Sequence, residues 1–141
     1  MEKVSLKELL AFGALIESET YMHLIELQLQ GAKSANVPDG TLTELKRRKN
    51  EQAEKDKAIS LCASLNNKGI SLEKDGKIKA AIKTYEKNIE NHYPAHHAYK
   101  RLMVLYHKQG DVMDEIRVLE IALCVFPDYP EYVKRLSKLK Q

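Results

Sequence analysis

Gly76 and Gly110 stand 34 residues apart, and the residues around them fall into register at the same offset. Lys74-Asp75-Gly76-Lys77 aligns with Lys108-Gln109-Gly110-Asp111, Ile78 with Val112, Ile82 with Ile116 and Ile89 with Leu123. Lys100-Arg101-Leu102 aligns with Lys134-Arg135-Leu136, and Pro94 falls within one residue of the place that Pro127 implies. A period of 34 is the length of a helix–turn–helix unit, whose apolar face one hairpin cannot bury alone. The register predicts hairpins over Ile59–Asn91 and His96–Val125, repeat units at about 60–94 and 95–128, and a capping helix over 129–140.

The rest of the chain is helical in character too. Glycine (6) and proline (4) are few in 141 residues, so little interrupts helices rich in Ala, Leu, Lys, Glu and Ile. Ser5-Leu6-Lys7-Glu8 has the form of a capping box that opens a helix. The apolar residues from Leu6 to Leu29 then form one helix, or two broken near Ser18–Thr20, with Gly31 as the stop. Residues 32–40 (AKSANVPDG) read as a loop. Thr41-Leu42-Thr43-Glu44 repeats the capping pattern, and no proline interrupts residues 43–74, so a long helix is expected there. The expected organisation is an N-terminal apolar helical segment and loop, 1–40, followed by a helical domain, 41–141. The fold class is all-α.

Over roughly Ser60 to Leu139 the sequence resembles the tetratricopeptide repeat family. The first unit supplies Leu65, Lys68-Gly69, Leu72, Ala81, Tyr85 and Pro94. The second supplies Tyr99, Leu102-Met103, Tyr106, Glu115, Leu119, Ala122 and Pro127. The resemblance implies a short α-solenoid, with extra N-terminal helices covering the end of the stack. Met103 and Glu115 replace the small residues that let two helices approach closely, so the second hairpin is expected to be splayed or differently packed. Glu115 either reaches solvent or forms a buried pair, with Arg101 or Arg117 as its partner.

In that family the first helix of each unit lines a concave groove for peptides. The resemblance places Asn66, Lys100 and Lys134 at equivalent groove sites, and Asn67, Arg101 and Arg135 beside them. Ile70, His97, Val104, His107 and Lys108 complete the surface. A basic, partly apolar groove suits an acidic peptide or a free C-terminal carboxylate, because Arg and Lys form charge-assisted hydrogen bonds with it. The family's carboxylate clamp has an asparagine where this chain has Ile70. Two alternatives remain: a structural protein that dimerises through its N-terminal helix, and a nucleic-acid accessory protein using Lys46-Arg47-Arg48-Lys49.

Other classes fit less well. A net charge of +3 is too small for a composition built to bind nucleic acid. No Gly-rich phosphate loop or nucleophile motif occurs, so no enzyme activity and no cofactor are expected. His92, His96, His97 and His107 do not assemble a metal-ligand spacing, since Pro94 separates the first pair. Cys62 and Cys124 read as two buried, reduced thiols in apolar helices. The run Leu9–Ile16 is too short for a membrane span and lacks a cleavage site, so a cytoplasmic protein is expected, with no membrane partner.

Overall fold

In the computed structural model, which describes residues Met1–Gln141, seven helices accompany one small sheet. The order is β1 (Glu2–Ser5), α1 (Leu6–Leu10), α2 (Ser18–Leu29), β2 (Ser34–Val37), α3 (Thr41–Lys74), α4 (Ile78–Ile89), α5 (His97–Gln109), α6 (Val112–Val125) and α7 (Pro130–Leu139). The chain is mostly helical, and no helix is long and apolar enough to cross a membrane. Its contacts divide it into two compact units, Met1–Asp56 and Lys57–Gln141. The division falls inside α3, whereas the composition places it in the loop before Thr41.

The first unit corrects the all-helical expectation. Residues 32–40, expected as a loop, carry β2, which pairs antiparallel with β1 in the register Glu2↔Val37 through Ser5↔Ser34. Val4, Ala35 and Val37 alternate inward and close a core with Leu6, Leu9, Leu24 and Leu45. Strands of four residues give a period-2 signal too short to read, and here the two-strand pairing is held by that core. The apolar segment is broken before Ser18 by a 3-10 turn at Gly13–Leu15, with Gly13 at φ +52°. Ser5 Oγ accepts the Glu8 N–H at 3.4 Å, one half of the expected capping box, while the Glu8 carboxylate faces Lys46 at 3.7 Å. At the start of α3 the second box gives way to Glu2, whose Oε1 accepts the Leu42 N–H at 3.2 Å.

The second unit carries the repeat. Gly76 (φ +74°) and Gly110 (φ +72°) each take the left-handed conformation that ends a helix. Behind them Lys77 N–H donates to the Leu72 carbonyl at 2.9 Å, and Asp111 N–H to the Tyr106 carbonyl at 3.0 Å. The same turn recurs at the 34-residue offset. Helix α4 packs on α5, α5 on α6 and α6 on α7. Tyr85, Tyr99, Leu102, Met103, Val118, Leu119 and Tyr132 are fully buried among them.

Of the two outcomes expected for the second hairpin, splaying or different packing, the second occurs. Met103 is 1% exposed and Glu115 0%, so both sit inside the packed layer. The offset shows how the volume is accommodated. In the first hairpin Gly69 leaves room for Tyr85; in the second the equivalent pair is Met103 and Leu119. Bulk passes from one helix to the other, and Tyr85, Met103 and Leu119 all stay buried in one core.

A Cβ added at Gly69 would lie 2.3 Å from Tyr85 Cε1. Tyr85 is 0% exposed and cannot swing away. We therefore expect Gly69→Ala to destabilise the protein by about 2 kcal/mol, overpacking outweighing the better helix propensity of alanine. The midpoint of urea unfolding measures this, and an unchanged or raised midpoint would show that the Gly69–Tyr85 contact has slack.

Candidate functional site

Helix α5 projects Arg101 back onto the preceding hairpin. Arg101 Nε donates to Glu73 Oε2 at 3.1 Å, and a second guanidinium N–H donates to Oε1. Tyr85 OH donates to the same carboxylate at 2.6 Å. These donors, Arg101 above all, hold the Glu73 carboxyl below its ordinary value. Burial, and then the bond to Glu73, push the Tyr85 hydroxyl upward.

One period later Arg135 on α7 does the same with a different carboxylate. Its Nε and Nη2 each lie 3.4 Å from Glu115 Oε2, and Nη2 also donates to the Met103 carbonyl at 3.3 Å. His107 Nδ1 lies 3.0 Å from the other Glu115 oxygen. The repeat offset places His107 where the first unit has Glu73, and Glu115 where it has Ala81. The carboxylate has moved from the first helix of the unit to the second, and a histidine fills its former place. Glu115 is thus buried with two partners, as a carboxylate removed from water requires. Neither is the expected one: Arg101 is bound to Glu73, and Arg117 to Glu86 and Asp114.

Beside this pair lies an open concavity of about 830 Å3. Its walls are His107 from α5, Glu115 from α6, and Glu131, Lys134, Arg135, Lys138 and Leu139 from α7. The α7 residues follow the i, i+3, i+4, i+7, i+8 spacing of one helix face. Of the residues expected in a groove, His107, Lys134 and Arg135 meet here.

The others lie outside this concavity. Lys100 donates to Tyr129 Oη at 2.8 Å and lies 3.3 Å from Glu131 Oε2; these two bonds raise its pKa. Asn66 accepts from Asn88 Nδ2 at 2.7 Å, and Asn88 also donates to the Cys62 carbonyl at 3.2 Å, so Asn66 ties α3 to α4. His97 meets Tyr85 edge-on at 5.7 Å, and burial lowers its pKa. Ile70 and Val104 are half-buried, whereas Asn67 and Lys108 are exposed. Lys138 and Leu139 escaped the sequence reading because their counterparts one period earlier, Val104 and Leu105, are apolar and give no hint of charge, although Lys138 follows Lys134 by one helical turn.

The five histidines do not converge with other ligands, and no group of three His, Cys, Asp or Glu side chains is placed to hold a metal ion. His96 stacks on Phe126 at 3.9 Å, with Nδ1 2.7 Å from Tyr132 Oη. In the first unit each cation of residues 46–49 already has a neighbour. Lys46 faces Glu8, Arg47 binds Glu44 and Glu51, Arg48 binds Glu44, and Lys49 Nζ lies 5.7 Å over the Phe12 ring. The bond from Arg47 lowers the Glu44 carboxyl to about 2.

Compared with known proteins, the chain matches no family model and no curated protein.

The Arg101–Glu73 pair generates a pH prediction. The folded pKa of Glu73 lies below its unfolded value, so its contribution to stability is present above the ordinary carboxylate range. It is lost as the pH falls through the depressed value. Arg101→Met should lower stability at neutral pH by about 1–3 kcal/mol and flatten the loss on acidification from about pH 7 to about pH 3. Denaturant midpoints across that range measure both effects. Parallel curves for wild type and variant would show that Arg101 does not set the Glu73 titration.

Proposed function

We propose that this chain is a non-enzymatic protein-interaction module. Its second unit is a short α-solenoid of tetratricopeptide type that takes an acidic or carboxylate-ended protein segment on its basic face. The observation that carries this reading is the pair Lys134 and Lys138. Both line the concavity, and neither has a carboxylate partner, while Lys100, Arg101 and Arg135 beside them are engaged by Glu131, Glu73 and Glu115. Free cations in a recess attract an anionic segment, and the neighbouring ion pairs hold their wall in place. The 34-residue recurrence of the glycine turns supports the repeat assignment. The location we propose is the cytoplasm, since Cys62 and Cys124 are both free, and Cys124, expected to be buried like Cys62, is instead exposed on α6.

Of the two Lys-Arg pairs expected as anchors, Lys100, Arg101, Lys134 and Arg135, only Lys134 is kept, and Lys138 joins it. Lys134→Glu with Lys138→Glu should abolish binding of a synthetic acidic peptide while leaving helicity and melting almost unchanged, since both are surface residues. Binding of the wild type should weaken as salt rises. A double reversal that binds the peptide as tightly as wild type would end this reading.

One observation favours self-association as a second reading. Met22 and Leu29, seven residues apart on one face of α2, are 58% and 81% exposed. If copies pair through that face, sedimentation should show a concentration-dependent dimer that Met22→Glu with Leu29→Glu dissolves. A single species whose sedimentation ignores concentration rules the pairing out. The paired cations of residues 46–49 give no comparable support to a nucleic-acid role.

A further inference from the structure

A peptide that docks in extended form leaves its backbone N–H and C=O groups in need of partners. In grooves without a free sheet edge those partners are side-chain amides and guanidinium groups. Among the expected groove residues that supply is mostly committed. Asn66 is bound to Asn88, Arg101 to Glu73, and Arg135 to Glu115 and the Met103 carbonyl. Asn67, the remaining amide among the expected groove residues, does not line the concavity.

The recess offers instead a charge pattern with a helical period. Along α7 the open wall reads Glu131, Lys134, Lys138, with Leu139 as the apolar contact. Lys134 and Lys138 are one turn apart, so their stems are roughly 6 Å apart along the helix axis. A partner helix lying beside α7 has the same pitch and satisfies its own backbone internally. Carboxylates four residues apart on such a helix meet the two ammonium groups in turn. Glu131 extends the pattern with the opposite sign, although part of its charge is taken by Lys100 at 3.3 Å.

We propose that the segment bound in this concavity is an acidic amphipathic helix, aligned along α7, whose carboxylates at i and i+4 pair with Lys134 and Lys138. This rests on the acidic-partner reading above and adds the conformation and spacing of the partner. Arg135 and His107 take no part in recognition while Glu115 holds them.

The test uses the whole protein and two labelled peptides of identical composition. In one, two glutamates stand four apart on a stabilised alanine-rich helix with a leucine on the same face. In the other, the glutamates stand two apart in a chain whose central proline prevents a helix. Fluorescence anisotropy should show the helical peptide binding about tenfold tighter than the extended one, and the double lysine reversal should remove that advantage. Amide shifts on binding should centre on Lys134–Leu139. Equal affinity for both peptides, lost on the double reversal, would overturn the helical partner and leave the acidic-peptide reading standing. Binding of neither peptide would overturn both. A preference for the helical peptide that survives the double reversal would overturn the assignment to α7.

Discussion

The buried carboxylate of Glu115 governs the far end of the second unit. A charge removed from water is costly unless donors surround it. Its two oxygens are met from two different helices, His107 on α5 and Arg135 on α7. Moving α7 away would leave Glu115 half-paired at 0% exposure. The ion pair therefore fixes α7 as well as closing a gap, and the concavity is the space that this placement leaves open. Arg101 and Glu73 do the same one repeat earlier, with Tyr85 as a further donor. Successive hairpins are joined at polar points of defined geometry on top of a non-directional apolar core.

The two repeats solve one packing problem with different residues. Gly69 with Tyr85 becomes Met103 with Leu119, and Glu73 with Ala81 becomes His107 with Glu115. Each exchange concerns a pair of residues that share a space. Taken singly, Met103 and Glu115 read as defects, because each puts bulk where a small residue lets helices approach. Taken with their partners they conserve volume or charge. Interiors are packed too densely for a single enlargement to pass unanswered.

This also explains what the sequence did and did not disclose. The hairpins were legible because their turns need a left-handed residue, and glycine marks it at Gly76 and Gly110. The long α3 was legible from the absence of breakers. The two-stranded sheet was not, since Glu2–Ser5 and Ser34–Val37 are short and 28 residues of mostly helical chain separate them. For the site, the recurrence of Lys-Arg at 34 residues marked equivalent positions on successive helices, of which the concavity takes only Lys134 and Arg135. It did not show which were already engaged. Lys100 and Arg101 have the composition of anchors, yet tertiary contacts with Glu131 and Glu73 occupy them. Asn66, which resembles a groove amide, holds Asn88.

If the unit binds an acidic partner as proposed, what remains for recognition is a remainder of charge, and its kind matters. Arginine grips a carboxylate through a planar fork and specifies geometry even when acting alone, whereas lysine acts as a mobile, strongly hydrated point charge. In this recess the one forked group, Arg135, is turned inward to Glu115, and the point charges of Lys134 and Lys138 face out. Single lysine–carboxylate contacts at an exposed surface contribute at most about 1 kcal/mol each. Selectivity at such a surface cannot come from the shape of one contact. It must come from the spacing between contacts on a rigid support, and α7, held by Arg135 at one face and buried Tyr132 at another, is such a support. On the proposed reading the internal ion pairs thus shape recognition indirectly: by withdrawing the arginines, they leave the period of the helix itself as the pattern a partner must match.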